Sequence, residues 1–539
     1  MNVAVINRAL CTTLIIFTGA CNSGSTSATS SSSNGSTAQL IEARVKDAVS
    51  LDPATAVDGL SLNVTSEIFE NLVRFKPGSF QVEPQIARTW HMTPDGRRWT
   101  FNLRPGLRFS DGTPLDARAV KFNFDRWRLV HNPYHGSGVY AYYADMFGGF
   151  PGNISDVTAE GPLRVSFILK RPQGPFLRNI AMPSFAIGSP AAIRSDSEGY
   201  ALKPTGSGPY TVAEWVKDDH ITLQANPRYA GAKPVYQSVV IRDIPDPATS
   251  VLSLQKGDVD ILTDPRPDDA ATLAKQRGIT IYHQPSNNNS YVAMNMEKKP
   301  FDNLKVRQAV AYAINIPAIV KGFYTNGAMV ANNWTPPGMI GENPSVKAYR
   351  YDPAKAKTLL KQAGIGRGFA TQLYYPTAPR PYMPEPGRIA EAIQADLKKV
   401  GIELTLQPFE FGVFLQKVQN GEHPMCLIGW TGDNGDPDNF FYPLLDQDSA
   451  HKPNAQNYAF WRDQTFHKLV VHGQVSIDES KRARIYRQAN ALVHDQIPAI
   501  PIVHTTVPVA FKSSISGYIP RPDSIINFEL LKPHAGSAR

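Results

Sequence analysis

Cysteine is scarce in this chain. Three of the 539 residues are cysteine, and they form neither a Cys-x-x-Cys pair nor a Cys/His series at zinc-ligand spacing. A disulfide-dense scaffold and a structural zinc site are therefore excluded. Export would remove Cys11 and, with Cys21 lipidated, leave Cys426 as the only unmodified cysteine. We expect Cys426 to be buried and inert within an apolar stretch.

Motifs of common catalytic sites are also missing. The sequence has no Gly-x-Ser-x-Gly elbow, no His-Glu-x-x-His, no P-loop and no Gly-x-Gly-x-x-Gly directly after a strand. We therefore predict a protein that is not an enzyme and needs no cofactor. The rival interpretation, an exported peptidase, has no nucleophile or metal motif to support it.

Charge of one sign is nowhere concentrated. Lysine and arginine number 55 against 47 acidic residues, for a formal net charge of +8, and the basic residues are spread along the chain. Nucleic-acid grooves concentrate their basic residues, so a nucleic-acid partner is not expected. With 42% hydrophobic residues, a chain of this length predicts two or three globular lobes.

The first 37 residues are typical of targeting and tethering. The apolar run over residues 9–17 is too short to span a bilayer, and small residues follow it up to Cys21. We predict a signal peptide over residues 1–20 and a flexible Ser/Gly-rich tether over residues 21–37. Lipidation of Cys21 and ordinary signal cleavage both remain open, because Thr18 stands where a lipobox usually has an aliphatic residue.

The hydrophobic pattern changes along the mature chain. Residues 99–103 and 163–169 alternate apolar and polar side chains, which predicts an α+β region with much antiparallel sheet. From about Asn287, amphipathic helices alternate with short apolar strands, as in the helical stripe 389–400 and the strand 402–406. This alternation predicts a largely parallel sheet with ligand chemistry at the strand ends.

Several longer motifs carry a family resemblance. They are WTFNLRPG (99–106), FSDGTPL (109–115), PTGSGPY (204–210), VRQAVAYAI (306–314) and YDPAKAK (351–357). Together they resemble family 5 extracellular solute-binding proteins, the peptide and nickel receptors of ABC importers, over nearly the whole mature chain. The resemblance implies an α/β, two-lobed, periplasmic-binding-protein-like fold of type II, in which an inserted α+β subdomain enlarges the first lobe.

The resemblance also implies a division of the chain. Residues 38–71, 202–284 and 507–539 would form lobe I, residues 72–201 its inserted subdomain, and residues 285–506 lobe II. We expect a hinge where the chain crosses between the lobes, near residues 283–287 and 504–507.

Two segments are similar to the ligand site of the family's dipeptide receptors. They are Arg380-Pro-Tyr382 and GWTGDNGDPDNFF (429–441). By this resemblance Asp433 binds the ammonium group of a peptide and Arg380 binds its carboxylate. The other expected ligand contacts are Tyr382, Trp430, Gly429, Asn289 and Ser290. We expect the ligand backbone to pair as an added strand near residues 289–295 and 428–430.

This pair of charges would act as a ruler for peptide length. The two termini of an extended dipeptide lie about 7 Å apart, and a third residue overshoots by about 3.4 Å. Plainer interpretations stay open, because Asp433, Asp436 and Asp438 flank a Gly and a Pro and would suit an Asx-stabilised turn. A calcium loop is disfavoured because its terminal acidic ligand is missing. Arg380 alone would suit a solvated arginine.

The sequence departs from the dipeptide receptors in two places. Residues 446–463 lack a cysteine pair that those receptors carry, and the first-lobe loop 52–61 matches them poorly. The cargo therefore stays open between dipeptides and a longer peptide, haem, glutathione, a nickel chelate or an antimicrobial peptide. We expect an exported, monomeric receptor in the periplasm or on the outer face of the membrane. Its partners would be a short peptide and an ABC permease in the inner membrane, with a lipid anchor at Cys21.

Overall fold

The computed structural model describes residues 39–136, 140–324 and 327–534. The predicted signal peptide, the tether and Cys21 lie outside the described residues. Within these ranges, no helix combines the length and the apolar composition needed to cross a membrane.

Twenty-one strands are assigned within the described residues. They are β1 Gln39–Arg44, β2 Val73–Phe75, β3 Val82–Pro84, β4 Ala87–Met92, β5 Arg98–Leu103, β6 Ile154–Ala159, β7 Arg164–Leu169, β8 Tyr210–Val216, β9 His220–Ala225, β10 Ser238–Asp243, β11 Ile261–Thr263, β12 Ile279–Pro285, β13 Asn288–Met294, β14 Met329–Val330, β15 Phe369–Pro376, β16 Ile402–Phe409, β17 Met425–Thr431, β18 Ala499–His504, β19 Thr506–Lys512, β20 Ile515–Ser516 and β21 Lys532–Pro533.

Fifteen α-helices are assigned in the same described ranges. They are α1 Gly59–Ile68, α2 Ala117–Arg128, α3 Ala141–Phe147, α4 Phe176–Ile180, α5 Pro190–Ser195, α6 Pro247–Lys256, α7 Pro267–Leu273, α8 Leu304–Ala313, α9 Ile316–Phe323, α10 Pro353–Gln362, α11 Pro386–Lys398, α12 Phe411–Gln419, α13 Asp438–Leu445, α14 Gln464–Val475 and α15 Glu479–Gln496.

A seven-stranded mixed sheet has the order β12-β19-β11-β1-β10-β9-β8. The central strand β1 pairs in parallel with β10 and β11, whereas the remaining pairs are antiparallel. Leu40, Val239 and Ile221 from neighbouring strands lie in one buried cluster, so the alternation of each strand feeds a shared core. Its strands come from three separate stretches of the chain, the stretches predicted for lobe I. The lobe boundaries stay a prediction.

A four-stranded sheet, β4-β5-β7-β6, is antiparallel throughout. Its core is aromatic: Phe124 of α2 meets Phe167 of β7 edge to face, with ring centres 4.7 Å apart, and Trp127 packs beside them. Such contacts are favourable beyond the area they bury. The sheet agrees with the antiparallel α+β region that the alternation predicts.

A six-stranded sheet has the order β14-β18-β13-β17-β15-β16. Two of its ladders are parallel, β15 with β16 and β15 with β17. The other three, β13 with β17, β13 with β18 and β14 with β18, are antiparallel. The prediction of a largely parallel sheet is therefore wrong. The chain enters this sheet along β13 and leaves it along β18. Because both crossings lie on the same side of the sheet, these neighbouring strands run in opposite directions. The alternation of helices and strands in the sequence does not reveal strand direction.

Local signals determine where α11 begins and ends. Pro386 stands in its first turn, and Ile389, Ile393 and Leu397 are buried along one face at helical spacing. Gly401 then adopts a φ of 87°, a left-handed conformation that suits glycine and turns the chain directly into β16.

The seven-stranded and six-stranded sheets are joined by two chain crossings, after β12 and after β18. Asn288 Nδ2 donates to Thr505 Oγ1 at 2.6 Å and to Ser286 Oγ at 2.7 Å. Its Oδ1 accepts a hydrogen bond from Thr505 N at 3.0 Å. These side chains are buried. The hydrogen bonds hold the two crossings side by side.

Cys426 lies in the middle of β17 and is fully buried. Burial raises the pKa of its thiol, so the thiol stays protonated at neutral pH. The expectation of a buried and inert cysteine is confirmed.

Candidate functional site

The loop between β17 and α13 carries the predicted ligand aspartate. Two of its side chains form Asx turns: Asn434 Oδ1 accepts from Asp436 N at 2.9 Å, and Asp436 Oδ1 accepts from Asp438 N at 3.0 Å. Of the three aspartates expected to stabilise a turn, Asp436 does so, and Asn434, which was not expected, forms the other turn. The carboxylate of Asp433 takes no part in these turns.

A buried ion pair links the loop between β17 and α13 to helix α15. Arg482 of α15 donates from Nη1 and Nη2 to the two carboxylate oxygens of Asp436, at 2.8 Å and 2.6 Å. Both side chains are almost fully buried. Although burial alone would raise it, the charge of Arg482 holds the pKa of Asp436 below its usual value. Asp436 therefore stays charged with its partner already in place.

Asp433 has the opposite environment. Tyr142 of α3 donates its hydroxyl to Asp433 Oδ1 at 3.1 Å, and Asp433 N donates to Asn439 Oδ1 at 3.0 Å. Within the described ranges, no lysine, arginine or histidine forms a salt bridge with this carboxylate. Burial raises its pKa to about 6, and the hydrogen bonds from Tyr142 and Asn439 only partly offset that rise. A positively charged ligand group would complete this site.

The carboxylate of Asp433 lines a cavity of 460 Å³, here called the first cavity. One wall comes from residues next to the four-stranded sheet, including Tyr142 and Asp145 of α3. The other wall comes from the six-stranded sheet and its loop, including Trp430 and Asp438. Trp430 Nε1 donates to Asn439 Oδ1 at 3.1 Å, which holds the indole at the cavity edge. The structure thus brings Asp433 and Trp430 together, as predicted.

Direct contacts close the walls of the first cavity against each other. Asn434 Nδ2 donates to Asn179 Oδ1 at 2.7 Å, and both side chains are buried. Arg178 Nη1 donates to the carbonyl oxygen of Gly435 at 2.8 Å. A Cβ on Gly435 would lie 2.1 Å from the ring of Phe80, so only glycine fits there. Contacts with Phe80, Arg178 and Asn179 therefore hold the Asp433 loop in place.

The structure places Arg380 in a second cavity, of 560 Å³. Tyr324, Arg388 and Asp264 also line this second cavity, which shares no lining residue with the first. The guanidinium carbon of Arg380 lies 3.4 Å from the centre of the Phe411 ring, and its Nε is buried without a hydrogen-bond partner among the described residues. Asp433 and Arg380 are thus not brought into one cavity.

Of the other predicted contacts, Gly429, Asn289 and Ser290 lie in the six-stranded sheet, and Tyr382 lies in the turn between Arg380 and Met383. A Cβ on Gly429 would be 2.3 Å from Tyr382 Cδ2, so the tyrosine ring packs directly on this glycine. Asn289 and Ser290 are fully buried, and Asn289 Nδ2 donates to Trp334 O at 2.8 Å. Neither cavity is lined by these four residues. As placed here, they support the site from within the fold.

Strand pairing corrects the expected place of ligand addition. Residues 290–293 of β13 pair with β17 on one edge and with β18 on the other, so neither edge can accept a ligand strand. The ladder between β17 and β15 covers only Met425 and Cys426. Residues 427–431 therefore lack a ladder partner on that edge among the described strands. Of the two segments expected to accept the ligand, 428–430 is the one that keeps an open edge.

A hydrogen-bonded asparagine holds the segment that lacks the cysteine pair. Asn457 Nδ2 lies within 3.1 Å of the carbonyl oxygens of Leu445, Asp446 and Trp461. His467 of α14 lies next to this segment, with its Nδ1 hydrogen-bonded to Asp446 Oδ1 at 3.0 Å. These two and Asp448 are the one group in the described residues with carboxylate and imidazole atoms spaced for a metal. The hydrogen bond already accounts for the approach of His467 and Asp446.

Three residues of the site were not predicted: Tyr142, Asp145 and Arg178. Tyr142 and Asp145 are three residues apart and therefore share a face of α3. This helical spacing was the one sequence signal that could have pointed to them. The loop that Tyr142 contacts, between β17 and α13, lies almost 300 residues later in the chain. Spacing within a helix does not reveal such a long-range contact.

Comparison with known proteins agrees with this architecture. The family model of bacterial extracellular solute-binding proteins, family 5 Middle, matches residues 81–452. The dipeptide-binding protein of Escherichia coli (strain K12) is 37% identical over 492 residues, which cover 89% of this chain and 91% of that protein. Heme-binding protein A of Haemophilus influenzae is 33% identical over 519 residues, which cover 92% of this chain and 94% of that protein.

A solved structure extends the comparison to the fold. It is the ABC transporter-associated periplasmic binding protein DppA from Helicobacter pylori in complex with peptide STSA. It matches with a TM-score of 0.78 at 32% identity, over 92% of this chain and 98% of that chain. The predicted α/β fold of type II periplasmic binding proteins is confirmed. The chain belongs to family 5 of the bacterial extracellular solute-binding proteins, a family of substrate-binding proteins.

Proposed function

We propose that this protein is the exported binding component of an ABC importer that captures short peptides, dipeptides first among them. The names of its relatives support this cargo, since one is called a dipeptide-binding protein and another is solved with a bound peptide. One observation of the site carries the proposal. Asp433 lines a cavity with a half-buried carboxylate that has no cationic partner among the described residues.

The ammonium group of a peptide is the partner that Asp433 lacks. Folding has already removed water from this carboxylate, so its desolvation adds no further free-energy cost when the ligand binds. A cation that arrives with the ligand therefore binds such a carboxylate favourably. Tyr142 donates to one oxygen, Oδ1, and leaves Oδ2 to accept the ammonium. In this proposal Asp433 binds the N-terminus of the peptide.

Arg380 is proposed to bind the carboxylate end. Its Nε has no hydrogen-bond partner among the described residues, and a guanidinium suits a carboxylate with two parallel hydrogen bonds. Since Arg380 lines the second cavity, a ligand that contacts both charges must pass from one cavity to the other. The open edge of β17, residues 427–431, is the proposed path, and Trp430 lies on it.

Hinge closure is the proposed mechanism of capture. Two lobes would rotate about the paired crossings at residues 283–287 and 504–507, and the ligand would stabilise the closed form that the permease recognises. Family membership supports export and a permease partner. Cleavage of residues 1–20, lipidation of Cys21 and a monomeric state belong to the same proposal.

Haem is the second candidate cargo. The observation that favours it is the 33% identity to heme-binding protein A over 92% of this chain. Tyrosine is among the residues that ligate haem iron, and Tyr142 and Tyr442 line the first cavity. A titration with haemin, followed by its absorbance, tests this candidate directly.

The main test is calorimetric titration of residues 38–539 with dialanine, trialanine and N-acetyl-dialanine. We expect dialanine to bind tightly and N-acetyl-dialanine weakly, because acetylation removes the ammonium charge that Asp433 needs. Weak binding of trialanine supports a fixed distance between the two charged contacts. Equal binding of the acetylated peptide, or no peptide binding together with haemin binding, overturns the proposal.

A further inference from the structure

The first cavity contains more negative charge than one ammonium group can neutralise. Asp145, Asp433 and Asp438 line it, and Arg171 is the one lysine or arginine side chain in the described lining. With all four ionised, the formal charge of these side chains is −2, but burial raises the pKa of Asp438 to about 7, so this acid carries only part of its charge at neutral pH. One peptide ammonium therefore still leaves negative charge in the cavity.

None of these three carboxylates forms a salt bridge within the described residues. Asp145 is exposed, and it forms no hydrogen bond or ion pair through its side chain within the described residues. Asp438 Oδ2 accepts a long hydrogen bond of 3.3 Å from Gln474, while its Oδ1 is buried and has no partner. Asp436, by contrast, has Arg482 as its own partner. The cavity thus contains an unpartnered buried oxygen as well as unpaired acids.

The cavity also has room for more than an ammonium group. Its 460 Å³ can enclose a long side chain in addition to the peptide N-terminus. Tyr142, Phe147 and Trp430 give it aromatic walls, which attract a cation through their ring faces. An aliphatic stem would pack against the same rings.

We propose that the first cavity is a side-chain subsite that selects peptides with lysine or arginine as their first residue, with Asp145 as the specificity-determining carboxylate. This inference rests on the proposed function, because the ammonium of the same residue binds Asp433. Asp145 and Asp433 lie close enough to influence each other electrostatically, so the two charges of one basic residue can match both. Because successive side chains of an extended strand point to opposite faces, the side chain of the second residue points away from this cavity when the peptide pairs with β17.

The test compares four dipeptides by calorimetry: Lys-Ala, norleucine-Ala, Ala-Lys and Ala-Ala. Norleucine has the stem of lysine without its charge, so it separates charge from packing. We expect Lys-Ala to bind about tenfold more tightly than norleucine-Ala, and Ala-Lys to bind no better than Ala-Ala. In Asp145→Asn the affinities for Lys-Ala and norleucine-Ala should become equal. In Asp258→Asn, which changes an exposed aspartate outside both cavities, the preference should persist.

Each outcome separates this inference from the proposed function. If Ala-Ala binds but Lys-Ala and norleucine-Ala bind equally, the subsite is wrong and the peptide receptor stands. If Asp145→Asn keeps the full preference for Lys-Ala, Asp145 is not its source and the inference is overturned. If none of the four peptides binds, the proposed function itself fails.

Discussion

Two aspartates three residues apart show how the surroundings of a carboxyl group decide its role. Asp436 has a buried arginine partner and its pKa is lowered, whereas Asp433 has none and its pKa is raised to about 6. Between pH 3.8 and about 6 the native state therefore binds more protons at Asp433 than the unfolded chain does. Its contribution to the free energy of unfolding falls as the pH rises through that window. Asp433 costs stability at neutral pH, and a bound cation recovers it.

Peptide affinity should depend on pH through the same residue. Protonated Asp433 cannot attract an ammonium group, so with a pKa of about 6 the affinity for dialanine should be about tenfold lower at pH 5 than at pH 7. Calorimetry at pH 5, 6 and 7 measures this. The midpoint should move to higher pH in Tyr142→Phe, which loses a hydrogen bond to the charged form. A constant affinity over this range would contradict the assignment of Asp433.

At the scale of one element, the loop between β17 and α13 depends on a buried charge pair. Arg482 supplies both hydrogen bonds to Asp436, and it also donates from Nε to Gly473 O at 2.9 Å. A pair of this kind contributes little when both partners are replaced, but the loss of one partner leaves an uncompensated charge. The position of Asp433 therefore depends on α15.

Arg482→Met should lower the free energy of unfolding by about 3–5 kcal/mol, because it strands Asp436 as a buried, unpaired carboxylate. Urea unfolding measures the change. In the double variant Arg482→Met, Asp436→Asn most of that loss should be recovered, since the stranded charge is gone. A loss below about 1 kcal/mol in the single variant would show that Asp436 is neutralised in another way.

Local elements of the fold could be read from the sequence, whereas their directions and long-range contacts could not. The stripe at Ile389, Ile393 and Leu397 marks α11, because helical spacing is a local property. The antiparallel direction of β13 and β18 depends on where the chain leaves the sheet. The separation of Asp433 and Arg380 into two cavities likewise depends on tertiary packing. The similarity of motifs pointed to Asp433 and Arg380 but could not give the distance between their side chains.

For the whole molecule, the central feature is the contact between the Asp433 loop and the residues around the four-stranded sheet. Arg178 donates to Gly435 O at 2.8 Å, and its Nε lies 4.0 Å from Asp436 Oδ2. Gly174 N also donates to Gln474 O at 2.6 Å. These contacts need no ligand atom. In the proposed hinge closure, they should favour the closed arrangement before a peptide arrives and so lower the energetic cost of closure.

Arg178→Ala should open the ligand-free protein. Apparent affinity scales with the closed fraction, so dialanine binding should weaken about fivefold while the ligand-free radius of gyration increases. Small-angle X-ray scattering with and without dialanine measures the shape, and calorimetry measures the affinity. Arg164→Ala, at an exposed arginine of the four-stranded sheet, is the matched control and should change neither quantity. An unchanged radius of gyration in Arg178→Ala would contradict this role.

The order of strands in the seven-stranded sheet constrains how the protein can be made. β19 lies between β12 and β11 and pairs with both, although it is synthesised long after them. Until residues 506–512 have emerged, those two earlier strands keep open edges that invite pairing with other chains. The seven-stranded sheet therefore cannot be completed until nearly the whole chain has been made. A chain that stops before Thr506 would be an aggregation hazard rather than a smaller receptor, and late folding of the complete chain after export avoids that hazard.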